Sequence, residues 1–115
     1  MKIAVYKKTG EMHADGKVIK LTDKELALVD TLADMSVHAK PDIMTALYPD
    51  TEQPDSRVID WLADRLNEEA GEDIIKMSAD GYWIECNAIT VFPPSFGPDE
   101  SALGVIMKIA DEEAA

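Results

Sequence analysis

Residues 21–26 read Leu-Thr-Asp-Lys-Glu-Leu, and this hexapeptide constrains the fold more than any other stretch. Thr22 is an N-cap residue, and Glu25 stands three places on, where its carboxylate can reach back to the N-cap amide. Leu21 and Leu26 occupy the flanking positions of a hydrophobic staple. A helix therefore opens at Thr22, with Leu26, Val29, Leu32 and Ala33 expected on its apolar face. The chain before it has a different period. Residues 2–7 and 17–21 are short β-like runs punctuated by Thr9-Gly10 and Asp15-Gly16, which predicts an N-terminal hairpin or three-strand meander.

Downstream, Pro41 suits the first position of a second helix. That helix turns Ile43, Met44 and Leu47 inward and stops at Pro49. A third helix is predicted from Asp55 or Ser56, both capping residues, to Gly71, a natural C-terminal stop. Ile59, Ala63, Leu66 and Ala70 form its core stripe. Ile74–Met77 and Tyr82–Glu85 flank Ser78-Ala79-Asp80-Gly81, the pattern of a hairpin with a glycine-containing turn. Either Tyr82 or Trp83 should face the core. Pro93, Pro94 and Pro98 exclude regular helix over 91–98. Beyond them Leu103, Ile106, Met107 and Ala110 line one face of a terminal helix, with Val105 and Ile109 elsewhere on its circumference, so that helix needs a cover. The reading is an α+β domain over 1–87, then a proline-containing linker and C-terminal helix over 88–115 that packs on the domain or on a partner.

At 115 residues the chain suits one domain with a modest core. No apolar run is long enough for a membrane span, and the N-terminus lacks the apolar centre of a secretory signal. A single cysteine, Cys86, forbids an internal disulfide and fits a cytoplasmic setting. With only His13 and His38 beside it, no zinc ligand set forms. Asp60 and Asp64 lie one turn apart without a third ligand, as on a solvated helix face. No phosphate loop, nucleophile elbow or supported carboxylate pair is present, so neither catalysis, nor a cofactor, nor a small-molecule substrate is expected.

Charge is distributed unevenly. The net charge is −12, yet residues 1–24 hold six lysines against three acids, and the remaining 91 residues carry a net −15. Such an acidic body repels phosphate at long range; it serves solubility, or favours a basic or apolar partner.

Strands, three helices and a closing hairpin form the layout of a winged helix-turn-helix domain. From about Gly16 to Glu85 the chain resembles the OmpR/PhoB-type effector domain of bacterial response regulators. Leu21-Thr22 with Glu25 and Leu28, Leu47-Tyr48-Pro49-Asp50, Asp55-Ser56-Arg57-Val58-Ile59-Asp60 with Arg65-Leu66, and Ile74-Ile75-Lys76 with Gly81-Tyr82 carry the resemblance. It implies a third helix that enters the DNA major groove and a wing that touches backbone or minor groove, here without a receiver domain. Arg57 and Arg65 match the family. Where the family has further cations this chain has Asp64, Asn67, Glu68 and Glu69. Leu62, preceded by Trp61, replaces a groove-facing histidine, and Ser78 replaces the wing arginine.

Residues 54–73 hold seven acids against Arg57 and Arg65, a net of −5. Duplex binders neutralise roughly six to ten phosphates, which two arginines among seven acids do not achieve. Val58, Trp61 and Leu62 widen the apolar arc of the third helix to about 200°, whereas a surface helix needs little more than ~100°. The surplus falls where the family meets DNA. Arg57, Val58, Trp61, Leu62, Asp64, Arg65 and Glu68 thus read as a protein-binding surface, for a second copy, a regulatory partner or a protein whose nucleic-acid groove the acidic face mimics. Two alternatives stand beside it. Phe92, Phe96, Leu103, Ile106 and Met107 of the tail could cover the patch. Or the chain is a dimeric, sequence-specific DNA-binding regulator using Arg57, Arg65 and the N-terminal lysines.

Overall fold

The computed structural model describes residues 1–49 and 52–98. The expected terminal helix, with Leu103, Ile106 and Met107, lies outside the described residues. The architecture is α+β, with three helices and six strands in two sheets. Strands β1 (Lys2–Tyr6), β2 (Glu11–Ala14) and β3 (Lys17–Lys20) make the expected antiparallel meander. The helices are α1 (Asp23–Leu32), α2 (Lys40–Leu47) and α3 (Arg57–Ala70). Strands β4 (Ile75–Ser78) and β5 (Gly81–Ile84) form the closing hairpin.

The capping box forms as read: Glu25 N–H donates to Thr22 Oγ1 at 3.3 Å, and Thr22 N–H donates to Glu25 Oε1 at 2.8 Å. The buried face of α1 is Glu25, Leu28, Val29 and Leu32. Leu26 and Ala33 sit half-buried at its margin, so the true stripe is rotated from the expected one to take in a carboxylate. In α2 and α3 the inward residues are those expected: Ile43, Met44 and Leu47, then Ile59, Ala63, Leu66 and Ala70. Gly71 closes α3 in the left-handed region at φ 78°.

Residues 88–92, read from the sequence as the start of a linker, are instead strand β6 (Ala88–Phe92), parallel to β1 with Ile3 opposite Ile89. The first sheet therefore runs β3-β2-β1-β6. Ile89 and Val91 turn towards the core, and Phe92 stacks on Tyr6 at 5.0 Å on the sheet's other face. The pairing joins segments more than eighty residues apart, and no local pattern announces it.

Three devices tie the parts together. Lys17 Nζ donates to Ala70 O at 3.1 Å, and Lys24 Nζ donates to Leu47 O. Each lysine so places its charge at a helix C-terminus, where cations are favoured, and neither helix has a basic residue in its own last turn. Asn67 acts as a false strand residue: its Nδ2 donates to Ile75 O at 3.1 Å and its Oδ1 accepts from Ile75 N–H at 2.8 Å. His38, between α1 and α2, exchanges two backbone hydrogen bonds with Tyr82, at 2.8 and 2.9 Å. Among the described residues, no helix is long and apolar enough to cross a membrane.

Candidate interaction surface on the third helix

The stripe that buries Ile59, Ala63, Leu66 and Ala70 turns Arg57, Trp61, Asp64, Arg65, Glu68 and Glu69 outward. Val58 and Leu62 are half-buried and pack against the core. The wide apolar arc is thereby mostly absorbed, and Trp61 alone of the three expected residues projects, with 66% of its surface exposed. Phe92, one of the tail residues considered as its cover, lies with Ala4 and Tyr6 in a separate cluster. Phe96 is itself exposed.

Neither arginine of α3 is unpaired. Arg57 is held by Asp55, its Nη2 3.0 Å and its Nε 3.2 Å from Asp55 Oδ2. Asp55 also accepts the Arg57 backbone N–H at 3.0 Å. That backbone bond, then the guanidinium, lowers the Asp55 pKa, and the carboxylate in turn raises that of Arg57. Arg65 reaches across to α1 and pairs with Glu25. The Glu25 side chain is buried, so Arg65 neutralises an interior charge. The resemblance offered no sign of this second duty of the capping glutamate; the signal was the core register of residue 25 beside Leu28 and Leu32.

The acids divide in two. Asp60 accepts a hydrogen bond from the Tyr82 hydroxyl and lies 3.6 Å from Lys40 Nζ. Burial, reinforced by that bond, pushes the Tyr82 hydroxyl above its ordinary pKa. Asp64, Glu68, Glu69, Glu72 and Asp73 are all exposed. Trp61 therefore stands between Arg57 and Arg65, both exposed yet paired with carboxylates, on a helix whose other outward charges are acidic. The hairpin adds Met77, 67% exposed, beside a shallow cavity of about 330 Å³ lined by Lys40, Pro41, Met77 and Tyr82 among others. Sequence reasoning missed Met77. It shares a strand face with buried Ile75, but the hairpin outruns the core that Ile75 reaches.

Asp34, Ser36 and His38 meet in the loop between α1 and α2. His38 Nε2 lies 2.8 Å from Asp34 Oδ1 and 3.2 Å from Ser36 Oγ. A nucleophile relay needs hydroxyl and carboxylate on opposite ring nitrogens; here both converge on one, so the cluster orders the loop. Cys86 is half-buried, 3.8 Å from Met35 Sδ, and burial raises its thiol pKa. Among the described residues, no group of three His, Cys, Asp or Glu side chains is placed to hold a metal ion.

Compared with known protein families and with curated proteins, the chain matches no family model and no curated protein.

Proposed function

We propose that this chain is a winged-helix domain of transcription-regulator lineage whose third helix engages a protein surface in place of duplex DNA. The element order and the clasp between His38 and the closing hairpin support the winged-helix part of the reading. One observation carries the functional part: Arg57 and Arg65, the two cations of α3, are both bound to carboxylates of this same chain. A phosphate would have to displace Asp55 to reach the first. Capturing the second would strand a buried glutamate, a change that costs several kcal/mol.

The exposed surface that remains is one large indole flanked by two carboxylate-paired arginines and surrounded by solvated acids, with a net negative charge. Trp is among the residue types enriched at interface hot spots, and a surround of net negative charge steers a positively charged partner. The partner is accordingly a basic protein surface with an apolar slot for Trp61. An acidic mimic of nucleic acid has the same chemistry.

The test is a titration of random duplex DNA with the intact chain from about 50 to 200 mM salt, the range over which phosphate contacts reveal themselves. We expect no saturable binding at micromolar protein. Tight binding that weakens steeply with salt, and is abolished by Arg57→Ala with Arg65→Ala, would overturn the proposal. Iodide quenching of a Trp83→Phe variant then reports Trp61 alone. Strong quenching is expected, and a protected indole would remove the anchor.

A further inference from the structure

The first sheet has two unlike edges. One is β3, which carries Lys17 and Lys20, the charged side chains that guard an edge against pairing. The other is β6, Ala-Ile-Thr-Val-Phe, inside a run from Cys86 to Pro98 without a single charged residue. In a chain that is 30% charged, this unguarded edge stands out.

The backbone pattern shows what the edge offers. Lys2 N–H points to Asp15 of the β2 side, and Tyr6 O accepts from Gly10 N–H. Even-numbered residues of β1 thus turn their backbone groups to β2, and odd-numbered ones to β6. With Ile3 opposite Ile89 in parallel register, Ile3 bonds to the residues flanking its partner, Ala88 and Thr90. The N–H and C=O groups of Ile89 and Val91 are left facing outward. Among the described residues β6 pairs with β1 alone, and Ala88 and Thr90 are exposed.

We infer that β6 pairs antiparallel with β6 of a second copy of this chain, about a two-fold axis at Thr90. Ile89 of one copy then bonds to Val91 of the other, and the two Thr90 residues face each other as a non-hydrogen-bonded pair. Charge leaves this edge as the place where a second copy meets the least repulsion. Two chains of net −12 repel almost everywhere, but here they meet through an uncharged run, on a sheet whose first three strands lie in the net-positive segment 1–24. Among the described residues, joining the two four-stranded sheets leaves the lysine-bearing β3 strands as the edges. Helix α3 packs against β3, at the far side of the sheet from β6, so both copies keep Trp61 accessible.

The experiment is sedimentation equilibrium of the full chain with three variants. We expect a reversible dimer at micromolar concentrations. Thr90→Lys opposes two ammonium groups at the axis, and dimer affinity should fall tenfold or more with the circular dichroism spectrum unchanged. In a Cys86→Ser background, Thr90→Cys should yield a disulfide-linked dimer under mild oxidation, because facing residues of such a pair lie about 4.5 Å apart between Cα atoms, within disulfide range. Lys20→Cys in the same background should not. A chain monomeric up to about 1 mM, or a dimer indifferent to Thr90→Lys, would overturn the inference. Both results are independent of what α3 binds.

Discussion

Glu25 is a carboxylate without solvent, so each of its interactions is supplied by the protein: the Thr22 amide on one oxygen and Arg65 on the other. The two partners are not equivalent under mutation. Glu25→Gln keeps the reach to Thr22, since glutamine also serves in a capping box. It leaves Arg65, which is half-exposed, to water; a loss of about 1 kcal/mol is expected. Arg65→Met leaves an uncompensated interior carboxylate and should cost about 3 kcal/mol. Urea unfolding of both variants checks the order, and equal losses would mean that the pair is a surface contact. Asp34 offers a pH-dependent test. The His38 side chain, then the Ser36 amide and hydroxyl, lower its pKa from the ordinary 3.8 to about 2. Because the folded value lies below the unfolded one, its stabilisation is complete above pH 3.8 and is lost as pH falls through about 2. Carbon-detected NMR should place the Asp34 midpoint near 2, and His38→Ala should return it towards 3.8. A midpoint near 3.8 in the unmutated chain would show that the loop cluster is open in solution.

At the level of elements, the backbone of the closing hairpin is hydrogen-bonded to the helical part at two points, by Asn67 of α3 to Ile75 and by His38 of the α1–α2 connection to Tyr82. Gly81 makes the second attachment possible. Its φ is 141°, and a Cβ there would lie 2.0 Å from the His38 carbonyl oxygen. Gly81→Ala must therefore break the exchange between His38 and Tyr82 and strain the turn, and a cost of about 2–4 kcal/mol is expected. The amide of Tyr82 should lose its hydrogen-exchange protection first, while α1 stays protected; an unaffected Tyr82 would refute the attachment. Sequence reading named this glycine for its turn and missed its contact, because the turn is local and His38 is forty-three residues away. The same division runs through the fold. Thr22 with Glu25, Pro41 and Gly71 mark helix ends with their own chemistry, and all three helices were legible from them. Strand β6 was not. Parallel pairing needs a distant strand, and the prolines that follow Phe92 made the whole stretch read as linker. In the candidate site the outward placement of Trp61, Asp64 and Glu68 followed from helical periodicity. The carboxylate partner of Arg65 did not, since it depends on how α1 crosses α3.

For the whole molecule, the excess of acids sets a sign that local contacts cannot reverse. The exposed ion pairs Lys7–Asp30, Arg57–Asp55 and Lys76–Glu85 are screened by solvent and contribute little. The segment beyond residue 24 has only five cations for twenty acids, so its carboxylates far outnumber its cations. At about 10 mM salt the screening length is ~30 Å, comparable with a small domain, and this repulsion acts across the whole fold. At about 300 mM it acts only between near neighbours. Salt weakens the attractive pairs as well, but they are fewer and at shorter range, and the net effect is stabilising. The melting temperature should therefore rise by several degrees between about 10 and 300 mM sodium chloride. Chloride is the appropriate anion, because sulfate would strengthen apolar burial by itself. Protein concentration must be held low and varied as a check, since a dimer through β6 would make the melting temperature depend on it. A melting temperature that falls with chloride would mean that specific pairs such as Glu25–Arg65 dominate the electrostatics, and that the acidic surface of α3 is far better compensated than its formal charge implies.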